Sequence, residues 1–317
     1  MITERVDDIP LLIAELEKSE LSHYLDQYFP DHGNWQGLSG GKVAVGFLTY
    51  LLSCSDHRLN RVEPWVKGRL HTLRYCFDNE SFTEKDFTDD RLGILLDRYS
   101  DEEQWQQFEQ AHNAKLLKVY DLSTKDEAIR LDAMIVQSFR EEGENFKKGY
   151  AKQHRSDLPQ LKAMVATLDP LSMPLHSLIV PGNEADDTLY LDTIFGINPD
   201  LIPPNQLFVG DVKLGSKDNR ASLQQKGYYY LCPLSKKQCN PAQISLYLEQ
   251  KPSKLTVIEE ATTDLANPAS VKAKAFELTE EIHNESLGLT WTDRRLVGYA
   301  SAYAETLRRK LDQRIDK

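Results

Sequence analysis

The sequence predicts an α/β chain: an all-helical region over residues 1–125, then a mixed sheet in the order β-β-β-α-β-α-β within residues 126–317, interrupted by a β-rich insertion at about 234–300. Three observations carry this prediction. Apolar residues recur at helical spacing up to about residue 125 and then switch to runs of extended type. The extended runs come three in succession before a helical stretch intervenes, which is the signature of a meander feeding β-α crossovers. Two of the predicted strands, IRLDAMIV and LFVGDV, each carry a lone aspartate, Asp132 and Asp211.

Taken in order, IPLLIAELEKSELSHYLDQYF has apolar residues at helical spacing, and LSGGKVAVGFLTYLLSC is an apolar helix expected to be buried. In FTEKDFTDDRLGILLDRY, Thr88 is the expected N-cap, Asp89 and Asp90 lie in the first turn, and Leu92, Leu95, Leu96 and Tyr99 form one face. DEEQWQQFEQAHNAKLLKVYDL continues the pattern through Trp105, Phe108, Leu116 and Val119. AIRLDAMIV, QLKAMVATLDP and MPLHSLIVPG then read as an antiparallel meander whose second turn is DPLS. ADDTLYLDTIFG reads as a helix, LFVGDV as the fourth strand, SKDNRASLQQKG as a helix ending on glycine, and YYYLC as the fifth strand. Within the insertion, ISLYL, KLTVIEE and LTWTDRRLVGYA are the strand-like pieces, and a helix follows from near Ala302 to Lys317.

Composition narrows the function classes. The 317 residues are 40% hydrophobic and 27% charged, the balance of a globular protein with an ordinary core. No run approaches the length of a membrane span, and MITERVDDIP lacks the basic-then-apolar pattern of a signal peptide, so a cytoplasmic setting is expected. Cys54, Cys76, Cys232 and Cys239 form no C-x-x-C pair, which argues against a zinc ribbon or a disulfide framework. A net charge of −11 argues against a protein that coats nucleic acid with its whole surface, while leaving room for a local basic patch.

Asp132 sits inside an apolar run, where an unpaired charge is costly, so it is expected to be buried and to have a partner. In the predicted topology the first strand is central and the fourth lies beside it, so Asp132 and Asp211 are placed to face one another. Two such carboxylates suit a shared pair of divalent cations, and an all-oxygen donor set with water suits Mg²⁺ or Mn²⁺.

The sequence resembles the DDE transposases of bacterial insertion sequences, in the IS-four-like grouping. The likeness rests on IRLDAMIV, GYAKQHRSDLPQLKAMVATLDPLSMPL, IVPGNEADD, FVGDVKLGS, GYYYLCPL and, in the helical half, FTEKDFTDDRLGILLDRY. It implies a ribonuclease-H-like core, metal-dependent cleavage and strand transfer at transposon ends, and a homo-oligomer assembled on DNA. Asp132 matches the first catalytic and metal-binding acid of the family and Asp211 the second. The third, a glutamate on a helix after the insertion, has no match: from Tyr299 or Tyr303 the Y-x2-R-x3-E-x6-K signature meets Ala302 or Thr306 where an arginine belongs, which leaves Glu305 as a solvated helix residue. The sequence therefore reads as ending before that acid, and a DNA-binding remnant or regulator without catalytic activity is the alternative.

FKKGYAKQHR, with Lys147, Lys148, Lys152, His154 and Arg155 and no acid, is the expected DNA-phosphate loop, with Lys213 a further candidate; a solvated basic loop is the bland reading. Asp169, Asp186, Asp187 and Asp218 lie in turn or helix-start contexts, where aspartate bonds its own backbone. GNWQGLSGGKV fails the phosphate-loop pattern at Gln36 and Val43 and reads as a helix entry. The eight histidines show no zinc-enzyme spacing. A DNA-reading helix-turn-helix is possible among the first helices, with no side-chain pattern to select one.

Overall fold

The computed structural model describes residues 3–149, 155–253, 255–259 and 273–315. The chain divides into two compact units, residues 1–209 and 210–317.

The first unit begins with seven helices: α1 (Ile9–Lys18), α2 (Leu21–Tyr28), α3 (Gly40–Cys54), α4 (Val62–Lys67), α5 (Leu70–Phe77), α6 (Asp89–Arg98) and α7 (Glu102–Val119). The opening stretch with apolar residues at helical spacing forms two helices, α1 and α2. Glu20 adopts a left-handed φ of 60°, and the Ser19 hydroxyl donates back to the Leu16 carbonyl, so the chain turns between them. α3 is the buried centre of the bundle, with Val43 and Val45 fully enclosed and Phe47 and Tyr50 nearly so. Thr88 caps α6 through Arg91 N–H, as expected. Leu92 and Leu95 are buried, but Leu96 is 42% exposed, because the apolar stripe of α6 is narrower than its leucine content.

The buried face of α7 is largely polar: Phe108, Glu109, His112, Asn113 and Leu117. Its polar groups reach the sheet and the end of the helix at Asp186–Gly196. Asn113 donates to the Leu175 carbonyl at 3.0 Å, Gln110 donates to the Gly196 carbonyl at 3.1 Å, and the Glu109 carboxylate meets His176 Nδ1 and the Ser177 hydroxyl at 2.6 Å each. Buried polar groups paired in this way hold the helix in one register instead of letting it slide on an apolar surface.

The sheet of the first unit has β1 (Ala128–Gln137), β2 (Gln160–Leu168), β3 (Met173–Pro181) and β4 (Leu207–Val209), in the order β3-β2-β1-β4. β1 pairs antiparallel with β2 and parallel with β4, so it is flanked on both sides, as its apolar run predicts. α8 (Asp186–Gly196) packs on β2 and β3.

The second unit holds α9 (Lys217–Gln225), β5 (Tyr229–Leu231), α10 (Pro241–Glu249), β6 (Thr256–Glu259), β7 (Ala273–Asn284), β8 (Leu289–Ala300) and α11 (Ser301–Ile315). β6, β7 and β8 form an antiparallel sheet of their own. ISLYL, expected as a strand, lies in α10. Asn240 caps that helix through Gln243 N–H and Pro241 occupies its first position, a start signal stronger than the alternation of Ile244, Leu246 and Leu248, all of which are exposed. β7 was absent from the expected strands because its glutamates interrupt the apolar pattern. They are matched across the hairpin, Glu277 with Arg294 at 2.6 Å and Glu280 with Arg295 at 2.9 Å.

Candidate active site

Asp132 lies midway along β1, opposite Val165 of β2. The strand alternates: Ile129 and Leu131 are buried, while Arg130, Asp132, Met134 and Val136 lie on the exposed face. The expectation of a buried Asp132 is therefore corrected. The period of two turns its side chain away from the core side, so no buried counter-charge is required. One carboxylate oxygen accepts from Ala133 N–H at 2.9 Å.

Asp211 follows β4 by two residues and is also exposed. Its Oδ1 accepts from Lys213 N–H at 2.7 Å, an aspartate turn that shapes the segment leading to α9. That turn is held in several places. Gly210 N–H donates to the Leu231 carbonyl at 3.2 Å, Ser216 N–H donates to the Lys213 carbonyl at 3.2 Å, and Asn219 Nδ2 donates to that same carbonyl at 3.2 Å. The Gly215 carbonyl accepts from Arg220 Nε at 3.2 Å and from Gln238 Nε2 at 2.5 Å.

Arg220 is buried and bonds Asp293 of β8, an acid 5% exposed that also accepts from Tyr230 OH, from Trp291 Nε1 at 2.7 Å and, across a 3.1 Å ion pair, faces Arg295. Asp293 is thus committed to protein donors. This network was invisible in the sequence, because its bonded pairs lie up to 73 residues apart. Glu305 on α11 has a side chain 69% exposed and pairs only loosely with Arg309 at 3.9 Å, the geometry of a solvated helix residue.

Asp132 and Asp211 are each exposed, and carboxylate oxygens are the hard donors that suit a divalent cation such as Mg²⁺ or Mn²⁺. Among the described residues, no group of three His, Cys, Asp or Glu side chains converges as a metal site.

The predicted phosphate loop is flanked by acids that bond it. The Lys147 backbone bridges to Gln160, Lys148 N–H donates to the Glu142 carboxylate at 2.9 Å, and Arg155 forms a two-pronged pair with Asp157 at 2.8 Å. The Arg155 guanidinium draws the Asp157 carboxyl down to about 2. Lys152 and His154 lie outside the described residues. Lys213 is exposed beside Asp211.

Geometry also settles the SGGK stretch and one buried side-chain cluster. At the start of α3, Gly41 N–H and Gly40 N–H already bond the carboxylates of Asp26 at 2.6 Å and Asp31 at 3.0 Å, so the SGGK amides that a phosphate would need are occupied. The Glu109–His176–Ser177 cluster is not a hydrolytic triad. The carboxylate takes both partners, and Gly196 packs so tightly on the imidazole that a Cβ there would lie 2.2 Å from His176 Nε2.

The family model described as "Transposase DDE domain" matches residues 123–285, just over half of the chain, a span that includes both aspartates. No curated protein matches the chain. Among solved structures, the cryo-EM structure of the piggyBac transposase synaptic complex with hairpin DNA is similar at 10% identity and a TM-score of 0.38, covering 89% of this chain and 60% of that one. The Mos1 transposase paired-end complex with left transposon end is similar at 9% identity and 0.25, covering 78% and 84%; the Mos1 strand transfer complex is similar at 9% and 0.24, covering 79% and 84%. This chain thus spans well under two thirds of the piggyBac chain, and at such TM-scores these likenesses carry no argument. The family match stands without them: the chain belongs to the transposase DDE domain family.

Proposed function

We propose that this chain acts in DNA transposition as a metal-dependent transposase, cleaving at a transposon end to free a 3′ hydroxyl that then attacks target DNA. The observation that carries this reading is one of register. β1 and β4 pair with a constant offset of 79 positions, Ala128 with Leu207 through Arg130 with Val209, and 79 is also the separation of Asp132 and Asp211. The two aspartates share that offset, and Asp211 follows the carboxyl end of β4, the usual location of a site in an open sheet.

In this reading the core is ribonuclease-H-like over 126–317, with the insertion at about 234–300, and residues 1–125 form a helical domain with a DNA-contacting role. Asp132 and Asp211 hold Mg²⁺ or Mn²⁺, and Lys147, Lys148, Lys152, His154, Arg155 and Lys213 contact phosphates. Bound divalent ions supply Lewis-acid activation of the attacking and leaving oxygens. Asp132 is carried on a strand paired on both sides and Asp211 on a turn held by several hydrogen bonds, so each carboxylate is presented by ordered backbone. The bacterial insertion-sequence grouping, a cytoplasmic setting and a homo-oligomer on DNA complete the reading. No helix is long and apolar enough to cross a membrane among the described residues. Asp132→Asn and Asp211→Asn, each made singly and assayed on duplexes carrying the element's ends, are expected to abolish Mg²⁺-dependent cleavage while DNA binding persists. Retained cleavage in either variant overturns the assignment.

A further inference from the structure

The segment from Gly210 to Gln238 runs against the charge of the whole molecule. It holds Lys213, Lys217, Lys226, Lys236, Lys237 and Arg220 against Asp211 and Asp218, net +4 in a chain of net −11. Arg220 is buried on Asp293, and Asp218 accepts from Asn284 Nδ2 at 2.7 Å, whereas all five lysines are exposed. On the surface of this stretch the five lysines outnumber its two exposed aspartates, Asp211 and Asp218.

The fold gathers four of these lysines at one place. The turn Ser235–Cys239 is closed by Ser235 N–H to Gln238 Oε1 at 3.0 Å and by Gln238 N–H to Ser235 Oγ at 3.2 Å, and Gln238 Nε2 then staples it to the Gly215 carbonyl. Lys236 and Lys237 are two residues and one residue from Gln238, which makes that staple. Lys213 and Lys217 are each two residues from Gly215. With about 3.8 Å between successive Cα atoms, Lys213 and Lys217 branch from the chain within about 8 Å of Gly215, and Lys236 and Lys237 within about 8 Å of Gln238, so four lysines flank the one hydrogen bond that joins the two segments. The stretch carries net positive charge on an acidic molecule, and such a patch attracts a polyanion laid across it.

We propose that Lys217, Lys236 and Lys237, with Lys213, form a DNA-phosphate clamp beside Asp211, reading backbone charge and no base sequence. The inference rests on the proposed transposase activity and adds the residues that hold the strand. Lysine on a flexible stem gives point-charge contacts, so the site tolerates any sequence.

The test measures binding of the full chain to two unrelated DNA duplexes by fluorescence anisotropy across a potassium chloride series. Lys236→Ala/Lys237→Ala is compared with wild type, with Lys118→Ala/Lys125→Ala as an equal charge loss elsewhere, and with Asp132→Asn/Asp211→Asn. Each lost phosphate contact lowers the slope of log K against log salt by about 0.9, so the Lys236/Lys237 variant is expected to lose about 2 in slope on both duplexes with its melting curve unchanged. A slope equal to wild type, or an equal fall in the Lys118/Lys125 control, overturns the clamp. Failure of the transposase reading is separate: it shows as cleavage surviving in the aspartate variant, whatever the lysines do.

Discussion

His112 shows how a single side chain links the fold to pH. It is 9% exposed, stacked on Phe108 and 3.0 Å from the Ser19 hydroxyl, and burial pushes its pKa down from 6.5 to about 4. The unfolded chain therefore binds the extra proton first. The contribution of neutral His112 is complete above pH 6.5, declines as pH falls from 6.5, and is gone by about pH 4, with a ceiling of about 3 kcal/mol from 1.36 kcal/mol per unit. Thermal melts between pH 7 and pH 4 are expected to fall more steeply for wild type than for His112→Asn; parallel curves contradict the assignment. Gly196 makes a purely steric case. A methyl group there meets His176 Nε2 at 2.2 Å, so Gly196→Ala is expected to cost about 1–3 kcal/mol in a denaturant melt, by overpacking.

At the scale of elements, the buried Arg220–Asp293 pair decides how β7 and β8 sit on α9. Asp293→Ala leaves a buried guanidinium without its carboxylate, which costs about 3–5 kcal/mol, and should make the 273–300 hairpin the first segment cut in limited proteolysis. Unchanged cleavage order and stability would contradict the role of the pair. Elements of this kind also mark how far the sequence could be read. The meander, the crossover helices, the Thr88 cap and the positions of Asp132 and Asp211 at strand centre and strand end were legible, because period, caps and turn residues are local signals. The exposure of Asp132 was misread: an apolar run hides alternation when Met134 and Val136 lie on the open face. ISLYL was misread because its alternation competed with an Asn-Pro helix start. The Glu109–His176 lock and the Asp293 network were unreadable, since nothing local announces a partner 67 or 73 residues away.

For the whole molecule, the chain combines net negative charge with two exposed aspartates carried on well-braced backbone and a lysine-rich turn beside one of them. An acidic surface discourages indiscriminate coating of DNA, so productive binding depends on local clusters and steepens with falling salt. The central claim is that Asp132 and Asp211 hold one divalent-ion site. Its most direct test is Mn²⁺ titration of the full chain, followed by water-proton relaxation. The account predicts an enhancement in wild type that is lost in Asp132→Asn and in Asp211→Asn alike, with both variants folded. Enhancement of wild-type size in the Asp132→Asn/Asp211→Asn double variant would contradict it.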